Sequence, residues 1–174
     1  RTMVVGTVAA AVIGTLGVVP ALATFKGQSE PADKSLRSLG MRHGLYVGTA
    51  INDELLANPD ETRYQEIAAT EFSTVTAENA MKWESLEPTR GTYDWTKADA
   101  LVDFARKNNQ KVRGHVLVWN NQLPTWLTEG VADGSITKDE LRDLLKNHIT
   151  NVVTHFKGKI WQWDVVNEAV TDSW

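Results

Sequence analysis

The residues best suited to acid–base chemistry end an aromatic and β-branched run late in the chain. Residues 161–169 read WQWDVVNEA, and the first part of this run has the composition of a buried strand. The run stops on Asn167 and Glu168, an amide and a carboxylate, instead of a turn residue. A carboxylic acid partly shielded from water keeps its proton to higher pH and can donate it in catalysis. For Glu168 alone, a helix N-terminal acid or a surface ion pair is the commoner explanation.

Two earlier strand ends carry similar polar groups. In chain order they are Glu78, Asn79, Lys82, His115, Trp119 and Gln122. A sugar site uses such groups, because amides and charged groups pair with hydroxyls while indole rings cover the apolar face of each sugar. Each residue alone has a structural explanation, such as a surface pair between Glu78 and Lys82 or a buried His115. Together with Asn167 and Glu168, they favour a carbohydrate site.

Strand and helix patterns alternate along the chain. Strand patterns occupy residues 45–51, 72–76, 111–119 and 161–166. Helical patterns occupy residues 36–41, 59–68, 96–105 and 137–158. We expect Thr96 with Asp99, and Thr137 with Glu140, to cap the last two helices. This order predicts an α/β fold with a parallel sheet built from crossover units.

An open doubly wound sheet and an eight-stranded barrel share this order of elements. No Gly-x-Gly-x-x-Gly motif or phosphate loop follows the first strand, which weakens the nucleotide-binding alternative. Polar residues instead follow the second, third and fourth strands. This placement is typical of a barrel whose site lies at the carboxyl ends of its strands.

Composition narrows the class of function. The chain has 174 residues, a formal net charge of -4 and scattered Lys and Arg, which argues against a nucleic-acid partner. The absence of cysteine excludes disulfides and thiolate metal sites. His148 and His155 are seven residues apart without a carboxylate partner, so we expect core packing for the first and a solvated helix end for the second, not a metal site.

Four segments together resemble family 10 glycoside hydrolases, the secreted endo-1,4-β-xylanases. They are TAENAMKW at 76–83, RGHVLVW at 113–119, QLPTW at 122–126 and WDVVNEA at 163–169. The resemblance extends from about Leu45 to the last residue. It implies a (β/α)8 TIM barrel, of which this chain holds about the first four β/α units. It also implies hydrolysis of internal β-1,4-xylosidic bonds of xylan with retention of configuration.

The same resemblance assigns roles to the polar residues. Glu168 becomes the proton donor and general acid/base, and Asn167 binds the 2-hydroxyl of the sugar at the cleavage point. The implied substrate-binding residues are Glu78, Asn79, Lys82, His115, Trp119, Gln122 and Asn167. Strict strand alternation points Asn167 and Glu168 to opposite faces, so both reach the substrate only if the strand turns there. No metal or cofactor is expected, because carboxylates handle the charge.

A retaining mechanism also needs a second carboxylate about 5 to 5.5 Å from the acid. In the family this nucleophile lies on a much later strand, and Glu78, the nearest substitute, has a binding role. We therefore expect the 174-residue chain to be inactive alone, although the full-length protein is expected to act as a monomer. Open edges of a truncated parallel sheet also favour aggregation.

The N-terminal residues predict secretion. Residues 2–23 carry no charge, follow Arg1 and end in Ala21-Leu22-Ala23, the pattern of a cleaved signal peptide. Interruptions such as Gly14 and Pro20 make a membrane anchor the poorer interpretation. We expect a signal peptide at 1–23, a linker and N-terminal helix at 24–44, and the barrel half at 45–174. The mature protein is then extracellular, without a membrane contact.

Two alternatives remain open. One is a cellulase or mixed β-glycanase on the same barrel, since glucose differs from xylose by one hydroxymethyl group. The other is a non-catalytic carbohydrate-binding protein that has kept the cleft, because a fold alone does not guarantee chemistry.

Asn120 follows Trp119 where the family often has histidine, so hydrogen bonding is kept and a titrating group is lost. We expect an Asn120→His variant of the full-length protein to stay active with a changed pH profile or substrate preference. Xylan hydrolysis measured across pH checks this. An unchanged rate, pH profile and preference would contradict it.

Overall fold

The computed structural model describes residues 33–170. The expected signal peptide and the linker up to residue 32 lie outside these residues. Within them, the helices and strands follow in the order α1 (Leu36–Arg42), β1 (Gly48–Ile51), α2 (Asp53–Ala57), α3 (Thr62–Glu71), β2 (Thr74–Ala77), α4 (Trp83–Leu86), α5 (Thr96–Lys107), β3 (Lys111–Gly114), α6 (Thr125–Ala132), α7 (Lys138–His155) and β4 (Gln162–Trp163).

The four strands form one parallel sheet in the order β1-β2-β3-β4. Each new strand is added on the same side of the previous one, with helices in every crossover. A doubly wound sheet reverses direction at a switch point, whereas a barrel adds strands in sequence. The expected half-barrel order is therefore confirmed for the described residues.

Among residues 33–170, helices pack against one face of the sheet only. Val75 and Val112 point to that face and are fully buried, together with Leu101 from α5 and Phe156 after α7. Each such side chain stabilises the fold by about 1.5 to 3 kcal/mol. The opposite face, which bears Arg113, stays open. In a closed barrel this open face is the interior.

Gly114 allows β3 and β4 to approach closely. A Cβ atom at this position would lie 2.2 Å from the Trp163 ring, a distance that no side chain can adopt without moving the ring. The Trp163 ring instead packs toward Phe156, with ring centres 6.2 Å apart. The glycine therefore lets the indole lie directly over the strand that precedes the site.

Helix caps match the sequence at one helix and differ at another. Thr137 caps α7, because its hydroxyl accepts the Glu140 N–H at 3.3 Å. Thr96 is the first residue of α5 and not its cap, so that prediction is wrong. Asp94 accepts the Thr96 N–H at 2.9 Å and provides the local turn instead. Asp99, which was expected to complete the cap with Thr96, instead has its carboxylate 2.9 Å from His155 Nε2.

Strand ends also differ from the predicted bounds. The third strand was expected to reach residue 119, but the regular ladder of β3 ends at Gly114. Pairing with the β4 segment then resumes irregularly, since the N–H groups of Leu117 and Val118 each donate at 3.1 Å to carbonyls beyond Trp163. The short helices α2, α4 and α6 had no periodic pattern long enough to predict them.

The two α7 histidines have different surroundings. His148 is buried in the core as expected, stacked on Trp83 with ring centres 4.1 Å apart. His155 was expected at a solvated helix end, but it is half-buried because Trp95 stacks on it at 4.1 Å. Residues 33–170 contain no group of three His, Cys, Asp or Glu side chains placed to hold a metal ion. None of the helices described there is long and apolar enough to cross a membrane.

The buried imidazole predicts an acid-sensitive fold. Burial lowers the pKa of His148 from 6.5 to about 4, although the nearby Glu87 carboxylate acts in the opposite direction. The unfolded chain therefore binds a proton here between pH 6.5 and 4 while the folded chain does not, so stability falls as the pH falls through this window. The expected loss is about 3 kcal/mol in the free energy of unfolding.

Urea denaturation at a series of pH values measures this loss. His148→Phe keeps an aromatic ring on Trp83 and removes the titrating group, so its stability is expected to lose the slope between pH 6.5 and 4. His43→Gln, at an exposed position, serves as the control and keeps the slope. Equal slopes for all three proteins would contradict the assignment.

Candidate active site

The polar residues singled out from the sequence gather at the carboxyl ends of the strands. Glu78 and Asn79 directly follow β2, and Lys82 is the residue before α4. His115 directly follows β3. Since the strands are parallel, these ends meet at one edge of the sheet.

The Lys82 side chain lies at the centre of this edge. The residue is only 4% exposed, and its ammonium nitrogen is 2.9 Å from His115 Nε2. The same nitrogen lies 4.0 Å from the centre of the Trp119 ring, a cation–π geometry. Burial lowers the pKa of Lys82, while the charge of Glu168 and of two other carboxylates opposes the shift. A desolvated ammonium is thereby held in one position.

Asp164 orients His115 from the other side. Its Oδ1 accepts hydrogen bonds from Arg113 Nε at 3.0 Å and from a second guanidinium nitrogen at 2.8 Å, and its Oδ2 lies 2.8 Å from His115 Nδ1. Burial acts to raise the pKa of Asp164, but the hydrogen bonds from Arg113 and His115 outweigh it and hold the pKa below its ordinary value. The ionised Asp164 carboxylate can only accept, so the His115 Nδ1 must carry the hydrogen of this bond. The Lys82 ammonium can only donate, so the unprotonated Nε2 of His115 accepts from it.

Glu168 is held by Trp119. The indole Nε1–H donates to Glu168 Oε2 at 2.7 Å. Glu168 has a φ of 52°, so the chain turns there and strict strand alternation does not continue. Asn167 borders a cavity of about 570 Å³ along the open face of the sheet. We expected partial shielding of Glu168, but it is exposed, since in the described part of the chain it follows β4, the edge strand of the sheet.

A second group joins the loop after β3 to α4. Gln122 Nε2 donates to Asn79 Oδ1 at 3.0 Å and to Glu84 Oε1 at 3.2 Å. The backbone N–H of Glu84 donates in turn to the Gln122 carbonyl at 3.1 Å. Glu78 is exposed, and within residues 33–170 no side-chain hydrogen bond joins it to the other site residues.

The family of the chain follows from a match to the family model described as glycosyl hydrolase family 10, which covers residues 35–174. The chain belongs to glycosyl hydrolase family 10. Its described part is a partial (β/α)8 barrel.

Individual family members agree with this. Endo-1,4-beta-xylanase B of Thermotoga neapolitana is 40% identical over 156 residues, which cover 90% of this chain and 43% of that protein. Beta-1,4-xylanase of Dictyoglomus thermophilum is 50% identical over 110 residues, 63% of this chain and 30% of that one. The crystal structure of xylanase 10B from Thermotoga petrophila RKU-1 in complex with xylobiose is 47% identical, with a TM-score of 0.75 over 80% of this chain and 41% of that one. The chain thus spans less than half the length of these family 10 relatives.

Three members of the site were not assigned from the sequence. Arg113 and Asp164 lie within the family 10 motifs, and Glu84 lies just after one. For the first pair the sequence offered only opposite charges on two predicted strands, and the structure supplies the register, in which Arg113 pairs with Gln162, two residues before Asp164. Opposite charges at such positions can meet across neighbouring strands.

The arrangement has a defined chemical capacity. One carboxylate is accessible at the rim, and an ammonium, an imidazole and two amides lie beside it in fixed hydrogen bonds. Such a group can transfer a proton to a bound polyol and hold several of its hydroxyls.

The hydrogen-bond order around His115 can be tested directly. Asp164→Asn replaces the carboxylate at Nδ1 with an amide, which is either a donor or a weaker acceptor there. The imidazole hydrogen is therefore expected to move from Nδ1 to Nε2, where it points at the Lys82 ammonium, another donor. The expected cost in unfolding free energy is about 1 to 3 kcal/mol. Imidazole ¹⁵N shifts report the tautomer. Asp99→Asn, which faces His155 and not this site, should leave the His115 signals unchanged, and an unaltered tautomer in Asp164→Asn would contradict the assignment.

Proposed function

We propose that the protein, at its full natural length, is an endo-1,4-β-xylanase that hydrolyses internal β-1,4-xylosidic bonds of xylan with retention of configuration. The observation that carries this proposal is the exposed Glu168 carboxylate, held at 2.7 Å by Trp119 next to the buried Lys82 ammonium. The names of the family 10 relatives support the substrate, and the Thermotoga petrophila relative was crystallised with xylobiose.

Glu168 acts as general acid and then as general base in this proposal. Its Oε2 accepts the Trp119 N–H, so the proton for the departing sugar oxygen sits on Oε1. The indole thereby selects which carboxyl oxygen faces the glycosidic bond. In the second step the same carboxylate takes a proton from the attacking water.

The neighbouring residues bind the sugars. Asn167 lies beside the cavity at the turn before Glu168 and would hold the 2-hydroxyl of the sugar at the cleavage point. The other hydroxyl-binding and ring-covering groups in the proposal are Glu78, Asn79, Lys82, His115, Trp119 and Gln122. Lys82 is bonded to His115, and Gln122 is bonded to Asn79, so these four side chains need little further ordering when the substrate binds.

The nucleophile is proposed to come from a later strand of the full-length protein. Within residues 33–170, the carboxylates near the ammonium are already engaged, Asp164 by Arg113 and Glu84 by Gln122. Arg113 stabilises the negative charge of Asp164 and so makes it a weaker nucleophile, and Glu78 is assigned to sugar binding in this proposal. We therefore propose that the 174-residue chain does not turn over xylan by itself.

Secretion through the leader at residues 1–23 is also part of the proposal, as is a monomeric full-length enzyme. Polymeric xylan cannot enter a cell, which is consistent with an extracellular enzyme. The intact mass of the protein purified from culture medium tests both the cleavage position and the length. A mass that retains residues 1–23 would contradict cleavage.

The role of Glu168 predicts a specific defect. Glu168→Gln in the full-length protein is expected to lower kcat on xylan by about 10² to 10⁴-fold, because general acid catalysis contributes on that order. Binding of xylotriose should change less than about threefold, since the amide keeps an acceptor for Trp119. Glu129→Gln, at an exposed position on α6, is the matched control and should leave both values unchanged.

The same assays separate the alternatives. Faster hydrolysis of carboxymethyl-cellulose than of xylan would indicate a cellulase or mixed β-glycanase. Binding of xylotriose without turnover of either polymer by the full-length wild-type protein would indicate a carbohydrate-binding protein. Undiminished xylan hydrolysis by Glu168→Gln would overturn the assigned acid.

A further inference from the structure

The helix α4 adjoins two of the proposed binding groups, Lys82 and Gln122, although it is a single turn of four residues. Lys82 precedes its first residue, and Glu84 in its first turn is bonded to Gln122 through backbone and side chain. One helical turn has almost no stability of its own, because nucleation costs more than a single turn returns. The position of α4 must therefore be fixed by what lies beneath it.

A buried carboxylate lies at the C-terminal end of α4, away from the binding groups. Glu87 is 5% exposed, and each of its side-chain oxygens accepts one hydrogen bond. Oε2 accepts the Trp83 indole N–H at 2.8 Å, and Oε1 accepts the backbone N–H of Gly91 at 2.8 Å. Its backbone carbonyl accepts the Trp126 indole N–H from α6 at 3.0 Å. Glu87 thus ties the start of α4 to the following loop and to a neighbouring helix.

The α7 helix completes this support. The imidazole of His148 stacks on the Trp83 ring at 4.1 Å and 15°, and its Nδ1 lies 3.5 Å from Glu87 Oε2. The Tyr93 ring lies nearly parallel to the imidazole, with ring centres 6.2 Å apart. We call Trp83, Glu87 and His148 the α4 support cluster.

We propose that Glu87 is a positioning residue for the sugar-binding edge. It fixes the Trp83 indole, and through it the start of α4, so that the adjoining Lys82 ammonium and the Gln122 amide keep their places. Lys82 is adjacent to Trp83 in the chain, so a shift or rotation of α4 moves the ammonium away from His115. The kinetic part of this inference depends on the proposed function, whereas its structural part does not.

The chemistry of Glu87 favours this role over simple packing. Burying a carboxylate carries a desolvation penalty that burying an apolar side chain of the same size does not. Glu87 therefore contributes only weakly to the stability of the fold. Its two hydrogen bonds instead specify direction, because both indole and backbone donors must meet separate oxygens. Val152 on α7 gives the contrast, since it is fully buried in the main core and forms no such link to α4.

The decisive variant is Glu87→Gln in the full-length protein. The amide keeps one acceptor oxygen and turns a donor toward either the Trp83 or the Gly91 N–H, so one of the two bonds is lost. We expect KM for 4-nitrophenyl β-xylobioside to rise roughly tenfold with kcat changed less than about threefold, as for a loss of uniform binding. Amide hydrogen exchange at residues 82–86 and 122 should become faster than in the wild type.

Two further variants guard against misinterpretation. Trp83→Phe deletes the indole donor, keeps a ring on His148 and should raise KM in the same way. It replaces Glu87→Gln as the test if that variant folds poorly. Val152→Ala is the control for general destabilisation and should lower the melting temperature without raising KM. In a Lys82→Met background, Glu87→Gln should add little further increase in KM, because both changes act on the same contact.

An unchanged KM in both Glu87→Gln and Trp83→Phe would overturn the proposal. An equal rise in KM for Val152→Ala at the same loss of melting temperature would also overturn it, as would full additivity with Lys82→Met. If the wild-type protein hydrolyses no xyloside, the proposed function is wrong. The positioning role of Glu87 is then tested by amide hydrogen exchange alone. Faster exchange at residues 82–86 and 122 then supports the positioning role, and unchanged exchange overturns it.

Discussion

Burial of the Lys82 ammonium is the constraint to which the rest of the site is adjusted. Removing a charge from water is costly unless hydrogen bonds and opposite charges replace the lost hydration. Here an imidazole nitrogen and an indole face contact the ammonium, and carboxylates lie further out. Each replacement comes from a different part of the chain, so the ammonium keeps its position only if the strands bring all of them together.

The parallel register of the sheet provides that arrangement. Arg113 is the partner of Gln162 in the ladder, and Gly114 is the partner of Trp163. The next residues along, His115 and Asp164, therefore meet at the strand ends, where their side chains lie 2.8 Å apart. One face of the same strands is packed on helices and resists slippage, since a shift by one residue would expose the core. Register thus fixes the geometry of the polar edge.

Much of this was predictable from the sequence, for physical reasons. Strand and helix order follows from hydrophobic periodicity, which a parallel α/β fold shows clearly. The site residues could be selected because amides, carboxylates and tryptophans together at strand ends have few structural explanations. The sequential strand order then agreed with the barrel that the motifs implied.

What could not be predicted depends on tertiary contacts. The cap at Thr96 fails because Asp94, two residues earlier, takes the first N–H. The end of β3 depends on how Val118 pairs again beyond the ladder, and no local pattern encodes that. Glu87 looks like an ordinary charged loop residue, and only the fold shows that Trp83 and Gly91 converge on it. Sequence patterns therefore identify the polar groups at the strand ends better than the buried groups that support them.

The distribution of polar groups also bears on which strands of such a barrel carry each part of the site. The groups described here approach the rim from the carboxyl ends of three neighbouring strands, β2, β3 and β4, and the inner face beside them remains open as a cavity of about 570 Å³. A retaining mechanism needs its two carboxyl groups about 5 to 5.5 Å apart on opposite sides of one sugar ring. Trp119 engages Oε2 of Glu168, and in the proposed mechanism the second carboxylate approaches from across the cavity. In the proposed mechanism these strands supply the acid and the sugar contacts, and the nucleophile comes from a later strand on the facing side of the cavity.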